Sequence, residues 1–275
     1  MASVTVQDIN KLRKLTGVGM MDCKKALVES DGDFDKAIDY LREKGKKLAA
    51  KRADRAANEG CVLAQTSADE TFAAVIMINC ETDFVAQNEG FVSFTKSVLD
   101  AAVNAKAKTI EEVNALSVNG TKVETLLVDQ VAKIGEKITL SQYKAIEAEV
   151  TYAYTHPGNR MASVVGLNKK DFDKVGKEMA MQVVSMRPIS VDKNSVPQDV
   201  IEKEMEVYRV QIREEGKPEN MVEKIAEGKL NKFFKESTLM PQEFILESKM
   251  SVEEYLKKQD KDLTVVSFAR SELGA

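Results

Sequence analysis

One histidine, His156, and three cysteines, Cys23, Cys61 and Cys80, are the whole stock of imidazole and thiol chemistry in this chain. Their spacing allows little. A Ser-His-Asp or Cys-His centre has to use His156, and nothing beside it marks a nucleophile. Zinc sites draw on CxxC pairs or clustered histidines, and neither occurs. No GxxxxGK[ST] stretch is present. "TGVGMMDCKK" has Gly17 and Gly19 but lacks the third glycine of a dinucleotide loop and follows a helix-like segment. Covalent catalysis, a metal and a cofactor are not expected. The residues that ask for a role are instead in "CETDFVAQNEGFVSF" (80–94), where the acidic pair Glu81 and Asp83 is followed by Phe84. Turn chemistry favours Gly, Asn or Ser at such a place. A phenylalanine there either plugs the end of its own sheet or waits for a partner.

Composition supports a soluble globular protein. The chain has 275 residues, enough for two or three domains. A net charge of −4 gives no bulk reason for nucleic-acid or membrane binding. No basic segment leading into an apolar one opens the chain, and no apolar run reaches membrane-spanning length. Unpaired cysteines point to a reducing, cytoplasm-like compartment.

The elements that must hold Phe84 follow from periodicity. Residues 1–55 read as three short helices and a linker. Thr5 with Asp8 forms a capping-box pattern ahead of Val6, Ile9, Leu12 and Leu15. The second helix carries Met20 or Met21 with Cys23, Ala26 and Leu27. Asp33 caps a third, with Phe34, Ala37, Ile38 and Leu41 on one stripe. "KGKKLAAKRADRAANEG" reads as a helical extension running into an exposed basic linker. From residue 60 the period is two and the pattern repeats. "TFAAVIMIN" (71–79) aligns with "RMASVVGLN" (160–168), matching Ala73 with Ala162, Val75 with Val164 and Asn79 with Asn168. A strand precedes each copy. An amphipathic helix follows each, through Phe91, Phe94, Val98 and Ala101 in one and Phe172, Val175, Met179 and Val183 in the other. The expected fold class is α+β: two duplicated small antiparallel sheets with helices on one face, residues 56–147 and 148–275. "EKITLSQYKAI" (136–146) and "DLTVVSFARSEL" (262–273) supply the third strands. Between them, at about 197–236, Ile201, Met205, Tyr208 and Ile212 and then Val222, Ile225, Ala226, Leu230 and Phe233 predict a helical hairpin or a helix pair lying on the second sheet.

Taken in order, "LRKLTGVGMMDCKKAL" (12–27), "TDFVA" (82–86), "IGEKI" (134–138), "YTHPGNR" (154–160) and "MPQEFI" (240–245) resemble the elongation factor Ts family over nearly the whole chain. The resemblance implies a ubiquitin-associated-like three-helix domain, a core of two related halves, and exchange of guanine nucleotide on the GTPase elongation factor Tu. It implies that Thr82, Asp83, Phe84 and Val85 enter between two partner helices near the nucleotide-bound Mg²⁺. Arg13, Met20 and Met21 match residues that meet the GTPase domain, and His156 matches one in the second half that reaches it. No cofactor, nucleic acid or membrane partner is implied, and the compartment is the bacterial cytosol. Val18 stands where the family usually has Ala, and Asn10 where a basic residue is frequent. "SELGA" closes the chain soon after the last predicted strand, where some members carry a further helical module. Two other readings stand beside this one. The first is a peptide- or ubiquitin-binding adaptor built on residues 1–55. The second is a small-molecule enzyme with an unrecognised site.

Overall fold

The computed structural model describes residues 4–274. Three helices open it, α1 (Val6–Thr16), α2 (Met20–Glu29) and α3 (Phe34–Lys51). The capping box forms as predicted: Asp8 N–H donates to Thr5 Oγ1, and Thr5 N–H donates to the Asp8 carboxylate. Asp33 caps α3 by accepting from Lys36 N–H at 3.1 Å. Ile9, Leu12, Val18, Cys23, Ala26, Leu27, Ala37 and Leu41 fill the small core between the three helices. The predicted stripe on α1 is too wide, because Val6 and Leu15 lie in solvent. Neither Met20 nor Met21 enters this core, and α2 contributes only Cys23, Ala26 and Leu27 of its predicted stripe.

The chain then forms β1 (Glu59–Thr66), β2 (Phe72–Cys80), the short turn α4 (Asp83–Ala86) and α5 (Glu89–Asn104). Helix α6 (Ile110–Ala115), a small hairpin of β3 (Ser117–Val118) and β4 (Thr121–Lys122), and α7 (Val123–Ile134) lead to β5 (Thr139–Glu147). The first sheet has the antiparallel order β1-β2-β5. A second antiparallel sheet, β6-β7-β8, uses β6 (Val150–Thr155), β7 (Met161–Leu167) and β8 (Val265–Glu272). Helix α8 (Asp173–Met186) covers one face of it. Helices α9 (Gln198–Glu214), α10 (Glu219–Ser237) and α11 (Val252–Gln259) lie between α8 and β8. Both third strands join where the sequence placed them. Each joins with a register shift, at Met77/Ile78 in the first sheet and Gly166/Leu167 in the second.

Strand β2 is buried over its whole length, so its two faces need two partners. Phe72, Ala74, Ile76 and Ile78 face Phe91, Val98, Leu99 and Ala102 of α5. Ala73, Val75 and Met77, on the opposite face, meet Ala162, Val164 and Ala269 of the second sheet. The two sheets therefore pack face to face through small side chains. Helices α9 and α10 pack on each other through Ile212, Val222 and Ala226, flanked by Met205, Tyr208 and Ile225. That cluster contains no strand residue, so of the two predicted arrangements the helices adopt the hairpin.

The helical extension forms as predicted, but part of it is packed and not solvated. Helix α3 continues to Lys51 and lies along α7, with Leu48 and Ala49 packed against the core of the first sheet. The surface that α3 covers is the apolar side of α7 at Val128 and Ala132. Gly45 makes this approach possible: a Cβ there would meet both Val128 O and Ala132 Cβ at 3.0 Å. Arg42 Nε donates to Asp129 at 3.3 Å beside it. Replacing Gly45 by Leu should cost about 1–3 kcal/mol through overpacking, although leucine is the better helix former. Urea denaturation checks this, and an unchanged midpoint would mean that α3 is not held against α7.

Candidate functional site

The segment after β2 turns the chain with two side-chain caps. Thr82 Oγ1 accepts from Val85 N–H at 3.4 Å, starting α4. Asn88 Oδ1 then accepts from Gly90 N–H at 2.9 Å and Phe91 N–H at 3.3 Å, starting α5. Ala86 and Phe91 go into the core, and Val85 packs half-buried against it. Asp83 faces solvent. Phe84 is 86% exposed, more than any other large hydrophobic residue among those described. Of the two roles open to it, plugging its own sheet is ruled out.

The turn is tied to its surroundings by two carboxylates. Glu136, in the connection from α7 to β5, accepts from the N–H groups of Glu81 and Thr82, both at 3.0 Å, and from Thr82 Oγ1 at 2.7 Å. The Glu81 carboxylate accepts in return from Lys137 N–H at 2.7 Å. It also pairs with Arg52 at 2.6 Å and with Arg55 at 3.5 Å. The end of the linker, read from sequence as solvated, is thus fastened to the turn. Burial pushes the Glu81 carboxyl upward, but the Lys137 amide and the two guanidinium groups outweigh it and hold the group below its ordinary value. Cys80 Sγ donates to Thr82 O at 3.2 Å. Burial and the nearby Glu136 charge push that thiol up to about 12, and burial pushes Cys61 up to about 11. These thiols stay protonated and serve as packing.

Of the other predicted residues, His156 lies in a turn that the fold ties to the first sheet. His156 is exposed in the β6–β7 turn, with Nδ1 3.0 Å from Tyr154 OH. That turn is fixed to β1 by Val62 N–H donating to Asn159 O at 2.8 Å. Arg160 pairs with Glu59, which is paired in register with Cys80 at the base of the Phe84 turn. The Arg160 guanidinium is stabilised in its charged form first by Glu59 and, more weakly, by Asp83. At the amino-terminal unit, Arg13 is exposed, and Met20 and Met21 are 47% and 74% exposed. Val18, Gly19 and Asp22 line a groove of about 260 Å³ with Ile134 and Gly135, the residues preceding Glu136. Sequence reasoning missed Glu136, Glu81 and Arg52 as a group. The available signal was an acidic residue directly after a left-handed glycine, Gly135 at φ 83°. Among the described residues no group of three His, Cys, Asp or Glu is placed to hold a metal ion, and no helix is long and apolar enough to cross a membrane.

Comparison with known proteins agrees with the motifs. The family model described as Elongation factor TS matches residues 81–275. A protein of Christiangramia forsetii named Elongation factor Ts is 46% identical over 276 residues, covering 100% of both chains. A protein of the same name from Amoebophilus asiaticus is also 46% identical over 276 residues, covering 99% of this chain and 100% of its own. A third, from Porphyromonas gingivalis, is 44% identical over 275 residues and 99% of each chain.

Two stability outcomes follow from this geometry. Phe84→Ala should melt as the unaltered protein does, within about 0.5 kcal/mol, because the ring touches no core; a thermal scan showing a large loss would place the ring inside. Glu81→Gln should show an acid-dependent deficit. Its folded carboxyl lies below the ordinary glutamate value of 4.5, so the stabilisation is present above that pH and is lost as pH falls through the folded value. Urea midpoints of the two proteins should therefore differ near neutral pH and approach each other in acid. A gap that widened in acid would contradict the pairing.

Proposed function

The chain belongs to the elongation factor Ts family, and we propose on that premise that it is a guanine nucleotide exchange factor for the GTPase elongation factor Tu, acting through the exposed Asp83–Phe84 turn. Thr82 and Val85 fix the turn, while Asp83 and Phe84 enter between two partner helices beside the Mg²⁺ site. Moving those helices weakens the Mg²⁺ and phosphate contacts that hold GDP, so the nucleotide leaves with no covalent step and no enzyme chemistry on this chain. The observation that carries this reading is a phenylalanine 86% exposed on a turn whose next two residues, Val85 and Ala86, pack half-buried and buried against the core.

One ring is not enough. Burying a phenylalanine yields about 2–3 kcal/mol, whereas moving an equilibrium by about four orders of magnitude takes roughly 5.5 kcal/mol of differential binding. Arg13, Met20 and Met21 on the amino-terminal unit and His156 on the second sheet supply the further contacts in this reading. Exposed thioethers suit such a surface because they adapt to a partner's shape. The first three helices, residues 1–55, act as a ubiquitin-associated-like module, and residues 56–147 and 148–275 as duplicated halves. The duplication is supported by the two register shifts: with Ala73 aligned to Ala162, Met77/Ile78 falls on Gly166/Leu167. The protein works in the bacterial cytosol, where its partner is found.

Linkage supplies the test. Elongation factor Tu stripped of nucleotide should bind this protein far more tightly than the GDP·Mg²⁺ form does. The ratio of the two affinities must equal the factor by which this protein weakens GDP. Titration calorimetry with both forms measures it, and equal affinities would end the exchange reading. Met21→Ala and Arg13→Ala should raise the dissociation rate of the complex without changing the melting temperature.

A further inference from the structure

We propose that Glu136 and Glu81 form a reciprocal carboxylate–amide lock that presets the Thr82–Ala86 turn, with Glu136 a positioning residue for nucleotide exchange; this deepens, and rests on, the exchange reading above. Helix α4 has four residues and cannot hold itself, because a single helical turn costs more conformational entropy than its few hydrogen bonds return. Apart from Val85 and Ala86, which reach the core, the bonds at its start carry the burden. One carboxylate, Glu136, takes three donors there: Glu81 N–H, Thr82 N–H and Thr82 Oγ1. Charged acceptors make the stronger hydrogen bonds. The lock runs both ways, since the Glu81 carboxylate accepts from Lys137 N–H, the residue after Glu136. Arg52, at the end of α3, holds the Glu81 carboxylate from the other side. The same few atoms thus fix the turn against both the α7–β5 connection and the amino-terminal unit.

A preset turn has a definite kinetic signature. If only a fraction of molecules present Phe84 correctly, the apparent affinity for the partner falls by that fraction. Once the complex has formed, the partner itself holds the turn. Breaking the lock should therefore raise the concentration needed for half-maximal exchange and leave the rate at saturation nearly unchanged. Removing the ring should do the reverse.

The experiment measures release of labelled GDP from elongation factor Tu over a range of concentrations of this protein, alongside amide hydrogen exchange of the free protein. Glu136→Ala should raise the half-saturating concentration by about tenfold at a near-normal maximal rate, corresponding to about a tenth of molecules remaining competent. In the free protein the amides of Val85, Ala86 and Gln87, which are hydrogen-bonded only in the formed turn, should lose most of their protection, while those of α5 keep theirs. Glu136→Gln retains one carbonyl acceptor and should fall between the two. Should Glu136→Ala unfold, Glu81→Ala carries the same expectation, since it removes the acceptor of Lys137 N–H and the partner of Arg52. Unchanged amide exchange together with an unchanged half-saturating concentration would overturn the lock. A reduced maximal rate at an unchanged half-saturating concentration would overturn it too, by making Glu136 part of the wedge action. Phe84→Ala in the same assay separates the two levels: full activity there would remove the exchange reading, while the hydrogen-exchange result would still decide the lock.

Discussion

A phenylalanine remains in water only where the residues beside it are fixed more firmly than the ring is drawn to the core. Much of this structure can be understood from that constraint at Phe84. The ring stands on one helical turn, with Ala86 and Phe91 buried just after it and Cys80 buried just before. Thr82 and Asn88 cap the two helical starts on either side, so the backbone has no freedom to roll the ring inward. Fully burying such a side chain is worth about 2–3 kcal/mol, and the anchors must outweigh it. They are drawn from several parts of the chain: the end of α3, the end of β2 and the α7–β5 connection.

The rest of the architecture serves the same end by making those parts one body. The two small sheets bury their shared faces through alanine and valine, which lets the β6–β7 turn and His156 reach the end of β1. Helix α3 lies on α7 through Gly45, and Val18, Gly19 and Asp22 share a groove with Ile134 and Gly135. The buried cysteines are part of this packing, with thiols too weakly acidic to act as nucleophiles. The hairpin of α9 and α10 is the exception. Its core is its own and contains no strand residue.

Local signals made much of this legible in the sequence. Thr5 with Asp8 and Asp33 marked helix starts because a cap is chemistry within a few residues. The strands of both sheets followed from apolar runs bounded by turns, and the third strands from their alternation. The turn at Phe84 stood out as an apolar residue where a polar one belongs. What the sequence did not disclose was mostly long-range. That α3 would lie on α7 depends on a glycine meeting Val128 and Ala132, which no periodicity within α3 reveals. The stripe on α1 looked complete, yet Val6 and Leu15 are exposed because the three-helix core is too small to reach them. Glu136 lies 55 residues from Glu81 in the chain, and nothing local to either names the other.

The central claim is that Phe84 is held in solvent by the free protein and is buried by the nucleotide-free GTPase. The most direct measurement places 4-fluorophenylalanine at position 84 alone and follows its fluorine resonance. In the free protein the resonance should be sharp, close to that of the free amino acid, and strongly broadened by a soluble paramagnetic reagent. Adding nucleotide-free elongation factor Tu should shift it and remove most of that broadening. A resonance already shielded from the reagent in the free protein, or one that complex formation leaves unchanged, would contradict the account.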